Sequence, residues 1–209
     1  MAKTEHYFVK FESNRIYHVF NRSIDRRPMF LSDRNCIFFL KKYDHYLSPV
    51  VKTYSFALCG NHFHFGIKIK SEAELSKFKN QENLINRFDT DHELVSYQFT
   101  RLFLSYAKAF NKEHGRVGAL FQKPFKRCEV VSERRLIRMV FYHHLNGQKH
   151  KLCNDFRTYQ WSSYLRYLKD GSSKLPKKEV FELMGGKEQF IRWHQNVFEE
   201  MSDDNWMIE

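Results

Sequence analysis

The stretch Val51-Lys52-Thr53-Tyr54-Ser55-Phe56-Ala57-Leu58-Cys59-Gly60-Asn61-His62-Phe63-His64-Phe65-Gly66-Ile67-Lys68-Ile69-Lys70 decides the fold of this chain. Tyr54, Phe56 and Leu58 alternate with Thr53, Ser55 and Ala57, and only Gly60-Asn61 separates them from a second alternating run at 62–70. The pattern predicts a β-hairpin with a short turn. Side chains of an extended strand point alternately to two faces. Phe63, Phe65, Ile67 and Ile69 then take the core, and His62, His64, Gly66 and Lys68 share the opposite surface.

Further elements follow on either side. Residues 15–22 read as a strand, followed by a loop at Ile24-Asp25-Arg26-Arg27-Pro28. Ser32 is placed to cap a helix that carries Ile37, Leu40 and Leu47 inward. Residues 71–92 are polar and charged and read as an insertion or mobile segment. From Glu93 to Lys112 the positions Val95, Phe99, Leu102, Phe103, Tyr106 and Phe110 recur at helical spacing. Residues 119–131 suit an edge strand, where Pro124 is tolerated. Ser132 then caps a helix with Ile137, Phe141 and Leu145 as its inward stripe. The order strand, helix, strand, strand, helix, strand describes an α+β, ferredoxin-like antiparallel sheet with helices on one face, followed by an extra helix carrying Tyr142. Gly171-Ser172-Ser173 reads as a linker, dividing the chain into a main body, 1–170, and an acidic helical C-terminal extension, 171–209.

The 209 residues suffice for one domain with a sizeable core plus an appendage. Hydrophobic residues at 42% and aromatic residues at 17%, with 21 Phe, exclude a disordered chain. The net charge of +11 and a pI near 9.5 favour a polyanionic partner. Residues 171–209 hold 5 Lys+Arg against 8 Asp+Glu, leaving 30 against 16, or +14, on residues 1–170. The basic surface therefore belongs to the main body. Four irregularly spaced cysteines form neither a zinc pattern nor a secreted disulfide framework and read as reduced, buried thiols. No apolar run approaches the roughly 20 residues that span a bilayer, so a soluble, cytoplasmic chain without a membrane partner is expected.

Tyr142 and Asn146 lie four apart in the last helix of the main body, about 40° apart around its axis, and share a face with Arg135, Arg138 and Met139. If this face meets the histidine face, a metal site forms beside a nucleophile. Two imidazoles and one amide oxygen would leave positions of a divalent ion open to water or phosphate oxygens. A phenol with a reference pKa of about 10 needs a nearby cation to become a reactive phenolate. In-line attack on a phosphodiester would then keep the bond energy in a phosphotyrosine link. Taken singly, each feature has a plainer reading. His-x-His can be a pair of surface histidines, and Tyr142 can pack on arginine stems.

The following stretches together resemble the HUH single-tyrosine transposases of the insertion-sequence-200 type, and above all the REP-associated tyrosine transposases. They are Tyr17-His18-Val19-Phe20-Asn21-Arg22, Asn61-His62-Phe63-His64-Phe65, Phe110-Asn111-Lys112-Glu113-His114-Gly115-Arg116, Leu120-Phe121-Gln122 with Phe125-Lys126-Arg127, Tyr142-His143-His144-Leu145-Asn146 and Trp161-Ser162-Ser163-Tyr164. The resemblance spans about residues 15–165. It implies His62 and His64 as metal-binding histidines, Asn146 as third ligand, Tyr142 as catalytic nucleophile, Mg²⁺ or Mn²⁺ as the ion, single-stranded or hairpin DNA as substrate and a 5′-phosphotyrosine intermediate. The chain departs from the family where Gly147 follows Asn146 in place of proline, and where Leu58-Cys59-Gly60-Asn61 replaces the common Met-Pro-Asn.

Arg22, Arg26, Arg27, Lys123, Lys126, Arg127, Arg135 and Arg138 sit at segment ends that the expected fold brings toward the tyrosine, and are the candidate DNA-binding residues. Tyr17 and Trp161 could stack on unpaired bases or pack in the core. The expected function is metal-dependent DNA nicking and strand transfer, by a monomer or homodimer. The rivals are a hairpin-binding protein that has lost cleavage and a hydrolase that uses water as its nucleophile.

Overall fold

The computed structural model describes residues 7–200, with side chains described to residue 196. It contains a four-stranded antiparallel sheet in the order β2-β3-β1-β4, formed by β1 (Ile16–Arg22), β2 (Val51–Cys59), β3 (His62–Ile69) and β4 (Lys126–Glu129). With α1 (Asp33–Leu47) between β1 and β2, and α3 (Asp91–Glu113) between β3 and β4, this is the ferredoxin-like arrangement the hairpin predicted. Both helices pack on one face, over Phe63, Phe65, Ile67 and Ile69.

Several local expectations are corrected. The inward stripe of α1 is Cys36, Phe39, Tyr43 and Leu47, while Ile37 is 46% exposed. Helical spacing fits both sets, and the aromatic one wins because Phe39 and Tyr43 meet Phe63 and Phe65. A bulge between Thr53 and Ser55 breaks the alternation of β2. It turns Tyr54 away from Phe56 and Leu58, into a second apolar cluster on the other side of the sheet. Residues 72–81 form α2 (Glu72–Gln81), closed at its start by a reciprocal Ser71–Glu74 capping box and held by buried Leu75, so this part of the segment 71–92 is an ordered helix. The edge strand contracts from 119–131 to four residues, and Pro124 precedes it.

The other face of the sheet receives α4 (Glu133–Lys149), capped by Ser132 as expected. Ile137 is only half-buried, whereas residues 139–147 are buried all round. The helix lies between the sheet and a layer made by α5 (Tyr164–Leu168), α6 (Lys177–Leu183) and α7 (Lys187–Glu200). Phe141 and Leu145 meet Phe156, Tyr164, Tyr167, Val180, Met184 and Phe190 there. Glu179 of α6 accepts hydrogen bonds from Tyr54 and Lys52, which ties the C-terminal helices to β2. The final residues of the expected extension, 201–209, lie outside the described residues. Among the described residues no helix is long and apolar enough to cross a membrane, and no two cysteines are joined.

Two glycines set how closely α4 approaches its neighbours, Gly66 on the sheet side and Gly147 against Tyr159. A Cβ on Gly66 of β3 would stand 2.5 Å from the Met139 methyl and 2.8 Å from the Ser55 hydroxyl. One on Gly147 would stand 2.4 Å from the ring of Tyr159, whose hydroxyl is fixed on the Leu58 carbonyl at 2.6 Å. α4 runs on through Gly147 to Lys149, with the Tyr159 ring against the glycine. Gly147→Ala should destabilise the fold by about 1–3 kcal/mol through this clash, measured by denaturant unfolding.

The segment 161–163 runs along the outer edge of β2. Leu58 N–H donates to the Trp161 carbonyl at 2.9 Å and Ser163 N–H to the Phe56 carbonyl at 3.0 Å. The Trp161-Ser162-Ser163 motif thus covers a sheet edge that would otherwise be open. Tyr17 is 1% exposed, its hydroxyl bonded to the backbone of Lys10 and Glu12, so it belongs to the core and is not a stacking platform.

Candidate functional site

His62 and His64 project from β3 toward α4, their ring centres 5.1 Å apart and perpendicular. Asn61 sets the state of His62. Its amide nitrogen donates to the Arg26 carbonyl at 2.8 Å, which turns its oxygen toward His62 Nδ1 at 2.7 Å. An amide oxygen only accepts, so the proton sits on Nδ1 and Nε2 keeps a lone pair. That lone pair faces His150 Nε2 at 3.2 Å.

His64 is fully buried, and its Nδ1 lies 3.0 Å from His18 Nε2. His143, also fully buried, completes a group with His18 and His64 whose ligand atoms all lie within 4.8 Å of one another. Burial lowers the pKa of His18 and of His62 to about 3, and holds His64 and His143 well below the usual imidazole value. Neighbouring imidazoles push in the same direction, and Arg22 adds to them at His62. All four rings are neutral at physiological pH and can serve as ligands.

Tyr142 is 4% exposed. Its ring stands edge-on to His64, with centroids 5.4 Å apart at 84°, and lies 6.2 Å from His18. Lys149, two turns further along α4, holds its ammonium 5.3 Å from the centre of the phenol ring, within cation–π range. Asn146 donates from its amide nitrogen to the Tyr142 carbonyl at 2.9 Å, while its buried Oδ1 has no hydrogen-bond partner among the described residues. A buried amide oxygen left unpaired costs about 1–3 kcal/mol. A cation at that oxygen would remove the cost, and the imidazoles of His62 and His64 and the amide oxygen of Asn146 are donor types that a divalent ion takes. All three are neutral, which leaves the positive charge available to an anionic substrate.

A cavity of about 100 Å³ opens beside His62, lined by Phe20, Asn21, Arg22, His62, Gln122 and Lys126 among others. Arg26 and Arg27 are exposed on the 3₁₀ turn Ile24–Arg26 and the residue after it. Lys123 is exposed on the approach to β4, Arg135 in the first turn of α4, and Arg138 is half-buried one turn before Tyr142. Arg127 sits apart from these. It is 7% exposed, with its guanidinium on the Val9 and Phe8 carbonyls and against the rings of Phe11 and Phe125.

His18, Lys149 and His150 were not among the expected site residues. Alternation along β1 puts His18 on the same face as Phe20 and Arg22, and Lys149 is seven residues from Tyr142, so both signals were present. His144, two residues after Tyr142, turns into the second core, with Ser163 Oγ and His194 Nε2 each 2.7 Å away.

No family model matches the chain, and no curated protein matches it. Among solved structures, the chain is similar to "Structure of the REP associates tyrosine transposase bound to a REP hairpin", with a TM-score of 0.55 and 14% identity, over 80% of this chain and 86% of that one. At that identity the likeness is one of fold, and it is the fold of a REP-associated tyrosine transposase that this chain resembles.

Proposed function

We propose that this chain is a metal-dependent DNA nicking and strand-transfer enzyme that acts on single-stranded or hairpin DNA through Tyr142. The observation that carries this reading is the Tyr142 ring standing edge-on to that of His64, which lies 5.1 Å from the His62 ring; the buried, unpaired oxygen of Asn146 one helical turn after Tyr142 supports it. The solved structure of similar fold is described as bound to a REP hairpin, which agrees with a hairpin substrate.

A divalent ion, Mg²⁺ or Mn²⁺, held by His62, His64 and Asn146 would supply Lewis-acid polarisation of the scissile phosphate. The chain's own groups do the rest. Arg22 and Lys126 draw the phosphodiester toward His62. Lys149 sets a positive charge beside the Tyr142 ring, where the attacking oxygen carries negative charge. The phenolate oxygen forms a bond to phosphorus as the bond to the 3′ oxygen breaks, and that oxygen leaves as a hydroxyl after taking a proton. The 5′ phosphate stays on tyrosine, so attack by a second 3′ hydroxyl restores the phenol and joins the ends without ATP. A labelled hairpin or single strand incubated with the protein should yield a denaturation-resistant protein–DNA adduct. Nicking with no adduct would point to water as the nucleophile.

The basic residues around the cavity contact phosphates in this reading. Binding to single-stranded DNA should then weaken by about 10²–10³-fold between about 50 and 200 mM salt if half a dozen phosphates are neutralised. A flat response in a fluorescence-anisotropy titration would exclude a nucleic-acid partner.

A further inference from the structure

The hairpin that carries His62 and His64 also builds a second constellation. Cys59 and His62 flank the Gly60-Asn61 turn as directly paired residues, so their side chains leave the sheet on the same face. The carboxyl end of α4 brings His150 onto them. The ligand atoms of Cys59, His62 and His150 lie within 4.8 Å of one another, and the two Nε2 atoms are 3.2 Å apart. Tetrahedral zinc, with Zn–N of about 2.0–2.1 Å, sets two imidazole nitrogens about 3.3–3.4 Å apart. The histidine pair therefore already has the separation of a zinc site's edge. Cys59 closes the face, and the fourth position stays open to water.

We propose that Cys59, His62 and His150 form a second metal site, selective for a thiolate-preferring ion such as Zn²⁺, and that its occupation takes His62 from the His62–His64–Asn146 centre and switches the tyrosine chemistry off. The two centres differ in their preferred ion. A set of one thiolate and two imidazoles favours Zn²⁺, whereas two imidazoles and an amide oxygen leave a harder site suited to Mg²⁺ or Mn²⁺. Binding converts the Cys59 thiol to a thiolate and releases one proton to solvent. Asn61 serves both centres equally, because it fixes the same His62 tautomer for either ion. His150 is exposed at the end of α4, and Lys151 after it adopts the left-handed φ of 57°, so its ring can settle on an ion without disturbing the core. The site stands on its geometry alone, and only its inhibitory effect rests on the proposed nicking activity.

The test begins with Co²⁺ as a probe of the metal-free full-length protein. One equivalent should give a thiolate-to-cobalt charge-transfer band and the intense visible bands of a tetrahedral site, both displaced by Zn²⁺. Cys59→Ala should lose the charge-transfer band, while Cys128→Ala keeps it. His150→Ala, at an exposed position that leaves the fold intact, should weaken Zn²⁺ binding by at least about tenfold, the smallest loss expected even for an outer-shell partner. An undiminished band in Cys59→Ala, or unchanged affinity in His150→Ala, would overturn the site. Nicking in Mn²⁺ is then titrated with Zn²⁺. The wild type should fall silent at concentrations that leave Cys59→Ala and His150→Ala active. Equal inhibition of all three overturns the switch. If no variant nicks under any condition, the proposed activity fails, and the cobalt spectra still decide the site.

Discussion

Tyr142→Phe should abolish both nicking and the covalent adduct, lowering the rate by at least about 10⁴-fold, while single-stranded DNA binding stays within about twofold of wild type. The substitution removes one oxygen. The ring keeps its edge contact with His64 and its place under the Lys149 ammonium, because both involve the aromatic carbons. Its neighbours on α4 are held by their own packing, so stability should fall by no more than about 1 kcal/mol, the worth of one hydroxyl's hydrogen bond. The basic residues and the cavity beside His62 are untouched, which is why binding and chemistry should separate. Gel analysis of adduct, cleavage and mobility shift on one DNA preparation makes the comparison. Adduct at the wild-type level in Tyr142→Phe would remove Tyr142 from its role. Loss of adduct with full nicking would favour the water-hydrolysis reading.

The sheet and its two core-side helices were legible because the period of each segment matches one buried face. Phe63, Phe65, Ile67 and Ile69 alternate, Val95, Phe99, Leu102 and Tyr106 recur at helical spacing, and both sets are buried where that spacing put them. The pattern failed where a segment is buried on two sides or where the backbone changes phase. The residues 139–147 of α4 have no solvent face, so the stripe of Ile137, Phe141 and Leu145 named only the side that meets the C-terminal helices. The bulge at Thr53–Ser55 shifts Tyr54 by one position, and alternation cannot register an extra residue. The segment 71–92 looked like an insertion because α2 buries a single residue, Leu75, and its stability comes from a capping box. The capping signal, Ser71 followed three residues later by Glu74, was there to be read.

For the site, strand alternation put His62 and His64 on one face and helix spacing put Tyr142 and Asn146 on another, and the ring of Tyr142 stands against that of His64. Contacts across elements were not available from spacing. The pairing of His18 with His64 arises because β1 lies beside β3, which the order β2-β3-β1-β4 determines and a local pattern does not. His150 meets His62 because α4 continues past Asn146 to Lys149, a helix end that spacing alone does not fix. Arg127 shows the opposite case. Charge and position made it a phosphate candidate, yet its guanidinium anchors the Phe8–Val9 backbone, a contact 118 residues away in sequence from Val9.

Truncating either strand histidine should remove most cleavage, by more than about 100-fold, because loss of an outer-shell partner alone costs up to about that much and these would be direct ligands. Asn146→Ala should be milder, nearer about tenfold, since water can replace an amide oxygen in a six-oxygen or mixed shell. It also removes the buried unpaired Oδ1, which partly offsets the lost amide contact with the Tyr142 carbonyl. His64→Ala carries an extra structural cost, because His18 Nε2 loses its buried neighbour at 3.0 Å, about 1–3 kcal/mol. His62→Ala lacks this complication, its partners being the Asn61 amide and the exposed His150. Thermal unfolding of each variant therefore accompanies the assay. Direct Mn²⁺ binding, followed by electron paramagnetic resonance, gives a readout independent of turnover and should weaken in both histidine variants. Chelator should silence the wild type, and Mn²⁺ should restore it at least as well as Mg²⁺, because imidazole ligands suit the softer ion. If His62→Ala folds, binds Mn²⁺ like the wild type and cleaves normally, or if the wild type is fully active in chelator, the strand histidines are structural and the tyrosine must be activated by other groups.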